Sequence, residues 1–237
     1  MAKIRDSNPK QSAGGFERLV GHKEMAEIFT KAQSTIITNG TELEKLISNR
    51  ANLVKDMDKF IEMSANGLLE SGSYLCTKKV LKASKYKLDK HEPDFIAFTI
   101  DKENDICLVI ELKDGDAFDT KKSFAEKEML KLFVEHLAPK IPIPTKYYVC
   151  CFNQLDKEKI VAGFKGVFSI DEVMTGKEFC DILGINYENI IAIRKADASD
   201  NFQYVIEKML EIKEMRQAIL RKERLHISQD SFYDKED

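Results

Sequence analysis

Three ionisable residues interrupt an apolar pattern between His91 and Lys113. Phe95 to Ile100 are β-branched or aromatic with one Ala, and Ile106 to Ile110 are nearly all apolar. Asp101 to Asp105 between them has turn composition, so the stretch reads as a hairpin. Strand side chains alternate, which puts Glu111 and Lys113 on one face and Leu112 on the other. Asp94 begins the first strand, and the hairpin returns it to the end of the second, beside Glu111. Two carboxylates and an ammonium then converge. A carboxylate against buried strand surface is costly unless paired, and two close carboxylates also repel each other. A hard divalent cation such as Mg²⁺ offsets both effects, taking carboxylate, water and phosphate oxygens. With Lys113 beside it to hold negative charge or orient a nucleophile, the set suits phosphodiester hydrolysis.

Other elements must hold this hairpin in place. Apolar residues at helical spacing predict a helix over about 16–36 (Leu19, Met25, Ile28, Phe29, Ala32), and a short one over 41–47 after Asn39-Gly40. A third is predicted over about 52–69, with Val54, Met57, Phe60, Ile61 and Leu68 on one side. Residues 75–81 are expected as a first strand pairing with the hairpin. After Lys113 the chain turns at Asp114-Gly115 and enters a helix over about 121–137, its buried side formed by Phe124, Met129, Leu132, Phe133 and Leu137. Prolines from 139 to 144 stop it, and 146–152 is a buried strand. Strand, helix, strand in that order is a right-handed crossover giving a parallel pair. A helix near 176–183, a strand at 190–193 and a long helix over about 200–225 complete the pattern. The fold class is α/β, a mixed sheet flanked by helices, with N-terminal and C-terminal helical additions. Residues 1–15 have little to pack and are expected as a flexible arm or a loose cap. Residues 16–237 are expected as one domain, with a catalytic core over about 74–153 and helical additions over 16–70 and 176–225.

Pro93-Asp94, sixteen residues, then Glu111-Leu112-Lys113 resembles the PD-(D/E)xK nuclease motif. The segment from Asp114 to Ser123 resembles the stretch just after that motif in several type II restriction endonucleases. Helix, strand, hairpin, helix, strand is the core order of the resembled family. The resemblance implies a restriction-endonuclease-like fold and a Mg²⁺-dependent, site-specific endodeoxyribonuclease acting on double-stranded DNA. By it, Asp94 and Glu111 are metal ligands, the Leu112 backbone carbonyl is a further ligand, and Lys113 is the catalytic lysine. It also implies an acidic residue on a helix before the hairpin. Glu62 and Glu70 are the candidates, and each also reads as part of a solvated helix face. A two-fold homodimer on a palindromic site and a cognate DNA methyltransferase are the expected partners.

Charge has to be supplied locally for DNA to bind, because the 237 residues carry a net charge of −3. Lys78, Lys79, Lys82, Lys85, Lys87 and Lys90 face only Asp89 in the block before the hairpin. They read either as phosphate contacts or as the exposed face of a strand pair. Thr120, Lys121 and Lys122 start the helix after the motif, where Asp119 or Thr120 caps it and its N–H groups suit a DNA phosphate. Arg216, Arg221, Lys222 and Arg224 form a second basic cluster near the C-terminus, read as macrodipole complement or DNA contact. Five cysteines without a C-x-x-C pair suggest buried free thiols and a reducing cytoplasm. No apolar run is long enough for a secretion signal or a membrane span. The four histidines, at 22, 91, 136 and 226, are too scattered for a metal triad. Without a Walker A loop, G-x-G-x-x-G or G-x-S-x-G, NTPase, dinucleotide and α/β-hydrolase functions lack their motifs. Two alternatives stand beside the restriction enzyme: a DNA repair or junction-resolving nuclease of the same fold, and a non-catalytic nucleic-acid-binding protein on a nuclease fold.

Overall fold

The computed structural model describes residues 1–9, 13–101 and 104–222. Helical spacing near the N-terminus gives α1 (Gly14–Val20) and α2 (Lys23–Ser48). α2 runs unbroken through Asn39-Gly40, where two helices were expected. A mid-helix Gly costs about 1 kcal/mol, less than the roughly 1.5–3 kcal/mol for each of the buried Leu43 and Ile47 beyond it. α3 (Met57–Ala65) starts at Asp56, whose side chain accepts from the Lys59 N–H. It is shorter than expected because the backbone just before it pairs as an extended segment: Val54 N–H donates to Leu75 O and Leu75 N–H to Asn52 O. Gly67, at φ 64°, turns the chain out of the helix.

β1 (Gly72–Thr77) is followed at once by a helical turn, α4 (Lys78–Lys82), so the first strand ends earlier than the sequence suggested. The hairpin forms as β2 (Phe95–Ile100) and β3 (Ile106–Lys113). α5 (Thr120–Leu137) leads to β4 (Thr145–Cys151), which lies parallel to β3 as the crossover requires. After it come α6 (Lys157–Gly163), β5 (Val173–Thr175), α7 (Gly176–Leu183) and α8 (Tyr187–Glu211), and 213–222 is helical again. The sheet order is β1-β2-β3-β4-β5, antiparallel across the first three strands and parallel across the last three. Three residues are too few for β5 to show a period. The Ile-rich run at 190–193, expected as a strand, lies inside α8 with Ile190 fully buried. A short apolar run suits either structure, and length decides between them.

The chain divides into one unit over Gly40–Ile191 and a second made of Met1–Asn39 with the chain from Ala192 onward. The first holds the whole sheet. One sheet face presents Cys76, Ile96, Phe98, Cys107, Val109 and Val149 to Phe60 of α3 and to Leu130, Phe133 and Leu137 of α5. The other presents Leu75, Phe95, Leu108, Ile110 and Leu112 to Leu43 and Ile47 of α2, Phe179 of α7 and Ile190 of α8. In the second unit, residues expected as a free arm are tied down. The Met1 amino group pairs with Asp197, Ile4 N–H donates to Asn201 Oδ1 at 2.6 Å, and Arg5 pairs with Asp200 at 2.7 Å. Arg224, His226 and the C-terminal tail lie outside the described residues. All five cysteines are buried and free. Among the described residues no helix is long and apolar enough to cross a membrane.

Candidate active site

Hairpin register brings the carboxylates together. Phe95 pairs with Ile110 in the antiparallel ladder, so one further step sets Asp94 opposite Glu111. The Asp94 side chain closes that step: its Oδ2 accepts from the Leu112 N–H at 3.0 Å. Its Oδ1 lies 3.5 Å from the Lys78 ammonium. On the same face, Lys113 Nζ donates to Glu111 Oε1 at 2.8 Å and to Glu126 Oε1 of α5 at 2.7 Å. Glu111 is only 7% exposed, and its Oε2 is buried with no hydrogen-bond partner among the described residues.

The electrostatics arise from this crowding. Burial, then the neighbouring Asp94 charge, pushes the Glu111 carboxyl up to about 8, against the pull of Lys113. Burial works against the Lys113 charge, but Glu111 and Glu126 outweigh it and hold the ammonium above its usual range. Glu44 of α2 is also raised, by burial first and then by Asp94, with Lys78 opposing. Three carboxylates (Asp94, Glu111, Glu126) therefore lie against two ammonium groups (Lys78, Lys113). With all five ionised the cluster carries a surplus negative charge, which a bound cation would offset. The unpartnered Glu111 oxygen is a further sign of fit. Among the described residues no group of three or more His, Cys, Asp or Glu is placed to hold a metal ion. The donors at hand are one or two carboxylates, the set that Mg²⁺ takes while keeping waters and substrate oxygens.

Glu62 and Glu70 are not brought to this cluster. α3 buries Met57, Phe60 and Ile61, which leaves Glu62 exposed to solvent. Glu70 precedes Gly72, which pairs with Ile100 at the far end of β2, about 20 Å of strand from Asp94. Of the acids on the earlier helices, Glu44 of α2 is the one that feels the Asp94 charge. Nothing in the sequence distinguishes it from Glu42, because the side of α2 that meets the hairpin is set by the buried Leu43 and Ile47. Glu126 was also missed, and for a related reason. The stripe expected on α5 holds at Phe133 and Leu137, which are buried, but not at Phe124 and Leu132, which are 56% and 46% exposed. Ser123 and Leu130 complete the buried face.

The basic residues lie in the segments just before and just after the hairpin. Lys78 N–H donates to Asp94 O at 3.1 Å, anchoring α4 to β2. Lys79, Lys82, Lys85 and Lys87 are exposed on α4 and the loop after it. Because α4 is helical, the strand-face explanation of these lysines does not apply. Thr120, Lys121 and Lys122 are exposed at the start of α5. The cap there is Asp119, accepting from the Lys122 N–H at 2.9 Å, and not Thr120.

The loop between β3 and α5 is pinned from the other side. Asn153 Nδ2 donates to Asp114 O at 2.7 Å, Gln154 Nε2 to Asp116 Oδ2 at 2.8 Å, and Phe118 N–H to Gly163 O at 3.1 Å. A Cβ on Gly163 would stand 1.7 Å from the Asp116 backbone oxygen. Gly163→Ala must therefore move the loop that continues from Lys113. We expect it to cost about 1–3 kcal/mol and to lower the melting temperature by about 2–4 °C per kcal/mol. Thermal unfolding checks this, and an unchanged melting temperature would contradict it.

A five-stranded mixed sheet flanked by helices, with two carboxylates and an ammonium at the end of its antiparallel hairpin, is compatible with a nuclease core. No family model matches the chain. Over 224 residues, covering 92% of this chain and 98% of the relative, it is 46% identical to the type II restriction enzyme HhaII of Haemophilus parahaemolyticus. The chain belongs to the type II restriction enzymes, and is a site-specific deoxyribonuclease.

Proposed function

We propose that this restriction endonuclease hydrolyses double-stranded DNA with Mg²⁺ at a PD-(D/E)xK site formed by Asp94, Glu111 and Lys113. The observation that carries this reading is the buried, unpartnered Glu111 oxygen beside a second carboxylate. An acceptor so placed costs about 1–3 kcal/mol unless something binds it. Asp94, Glu111 and the Leu112 carbonyl would hold the ion, with Glu44 as the acidic residue from a preceding helix. Bound there, Mg²⁺ would polarise the phosphorus and acidify a water. Asp94 has a second task, fixing the strand end through the Leu112 N–H. Lys113, held between two carboxylates, presents its ammonium to a phosphate oxygen or to the attacking water.

DNA would lie across the hairpin end, with Lys78, Lys79, Lys82, Lys85 and Lys87 on one flank and Thr120, Lys121 and Lys122 on the other. These residues contact phosphates and so fix register without reading sequence. We expect the triple variant Lys79→Ala, Lys82→Ala, Lys85→Ala to weaken binding alike for every sequence. The slope of log affinity against log salt should fall by about 0.9 for each lost contact. Anisotropy titrations over a salt series read both effects, and an unchanged slope would remove these lysines from the interface.

The described residues contain one such cluster, and cutting both strands of a palindromic duplex calls for two, related by a two-fold axis. A homodimer is therefore part of the proposal, as is a cognate methyltransferase protecting host DNA. Purified protein with plasmid and Mg²⁺ should give discrete fragments with uniform ends, and chelation should stop the reaction. DNA left intact under all conditions would refute the proposal. Kinship to a type II restriction enzyme favours duplex cleavage over junction resolution or non-catalytic binding.

A further inference from the structure

α5 carries a carboxylate where its packing pattern calls for an apolar side chain. Ser123, Leu130, Phe133 and Leu137 are buried, and Glu126 falls between them at the same three-and-four spacing, on the face turned to the sheet. Its side chain is 28% exposed and bonds Lys113 Nζ at 2.7 Å, while Glu111 bonds the same ammonium at 2.8 Å. Lys113 is thus gripped from two independent elements, its own strand and a helix across the layer. A lysine head on a four-carbon stem has many rotamers and needs such a grip to hold one position. One of the two partners, Glu111, is the carboxylate committed to the metal ion at the proposed site. Once it turns to an ion, its hold on the ammonium weakens. The helix-borne carboxylate holds the ammonium from outside the pair that would ligate the ion.

We infer that Glu126 is the positioning residue for Lys113, keeping the ammonium at the hairpin end while Glu111 serves the metal ion. The inference rests on Lys113 being the catalytic lysine. It makes Glu126 act through Lys113 and not on the ion or the DNA. Small displacements of a catalytic group cost up to about 100-fold in rate, which sets the size of the expected effect.

The test compares the full-length protein with Lys113→Ala, Glu126→Ala, Glu126→Gln and the double variant Lys113→Ala, Glu126→Ala. Steady-state cleavage supplies kcat and KM, Mg²⁺ titration calorimetry on the DNA-free protein supplies metal affinity, and thermal melting confirms folding. Glu126→Ala should lower kcat by about 10–100-fold, with KM and Mg²⁺ affinity within about twofold of the parent. Glu126→Gln keeps an acceptor oxygen and nearly the same shape, so it should recover part of the loss. The double variant should be no slower than Lys113→Ala alone, because the two residues act as one unit. Multiplied losses in the double variant would overturn the inference, as would an unchanged kcat in Glu126→Ala. A fall in Mg²⁺ affinity would make Glu126 a ligand and overturn it too. If Lys113→Ala itself cleaves normally, the site reading fails first and takes the inference with it. If Glu126→Ala does not fold, Glu126→Gln decides: a kcat equal to the parent overturns the inference, and a loss absent from the Lys113→Ala background supports it.

Discussion

Asp94→Asn should reduce Mg²⁺-supported cleavage by about 1,000-fold or more while leaving the fold nearly as stable. In the proposed site the Asp94 carboxylate has a structural task and a chemical one, and this substitution separates them. Its structural task is the bond from the Leu112 N–H at 3.0 Å, which an amide oxygen can accept equally well. Its chemical task is to supply negative charge next to Glu111, and an amide supplies none. Losing a carboxylate ligand forfeits several kcal/mol of transition-state stabilisation, and each 1.36 kcal/mol is about tenfold in rate. Removing the charge also leaves Lys78, 3.5 Å away, without its acid partner from the hairpin. Mg²⁺ calorimetry should show a much weaker isotherm. Cleavage within about tenfold of the parent, in a variant that melts normally, would mean that Asp94 is not a ligand.

Glu111→Gln should also abolish cleavage, and here the metal-free protein should gain stability at alkaline pH. Burial and Asp94 hold the Glu111 carboxyl near 8 in the folded chain, against an ordinary value of 4.5. The folded state therefore binds this proton more tightly than the unfolded state does. That contribution is fully present below about pH 4.5 and is lost as pH rises through about 8. The metal-free parent should accordingly lose melting temperature across that window, and Glu111→Gln, with no charge to bury, should not show this loss. At pH 8 the variant should melt above the parent, by about 2–4 °C for each kcal/mol recovered. The same linkage makes the parent's Mg²⁺ affinity rise with pH up to about 8, because the ion must displace the proton. A variant that melts below the parent at pH 8 would show that the buried charge is not a burden. Stability given up for a charged site is a common trade in enzymes.

The hairpin and its three charged residues were legible because strand geometry is local. A period of two fixes which side chains share a face, and a short turn fixes which residues lie opposite. Asp94, Glu111 and Lys113 could be placed together without knowing anything else about the chain, and the β3–α5–β4 crossover came from the order of elements. Helices carry no such guarantee. Each residue turns a helix by about 100°, so the direction a side chain takes depends on how the whole helix rolls onto its neighbour. That is why Phe124 and Leu132 were expected inside and lie largely exposed, while Glu126 sits in their place against Lys113.

What the sequence determined by itself was the strand-borne half of the site, where spacing along the chain and spacing in space are the same thing. Tertiary structure alone decided the helix-borne half. Glu44 feels the Asp94 charge only because Leu43 and Ile47 roll α2 onto the sheet, and Glu126 meets Lys113 only because Leu130 and Phe133 do the same for α5. Both acids are positioned by apolar burial around them, and that burial is settled only when the layers pack.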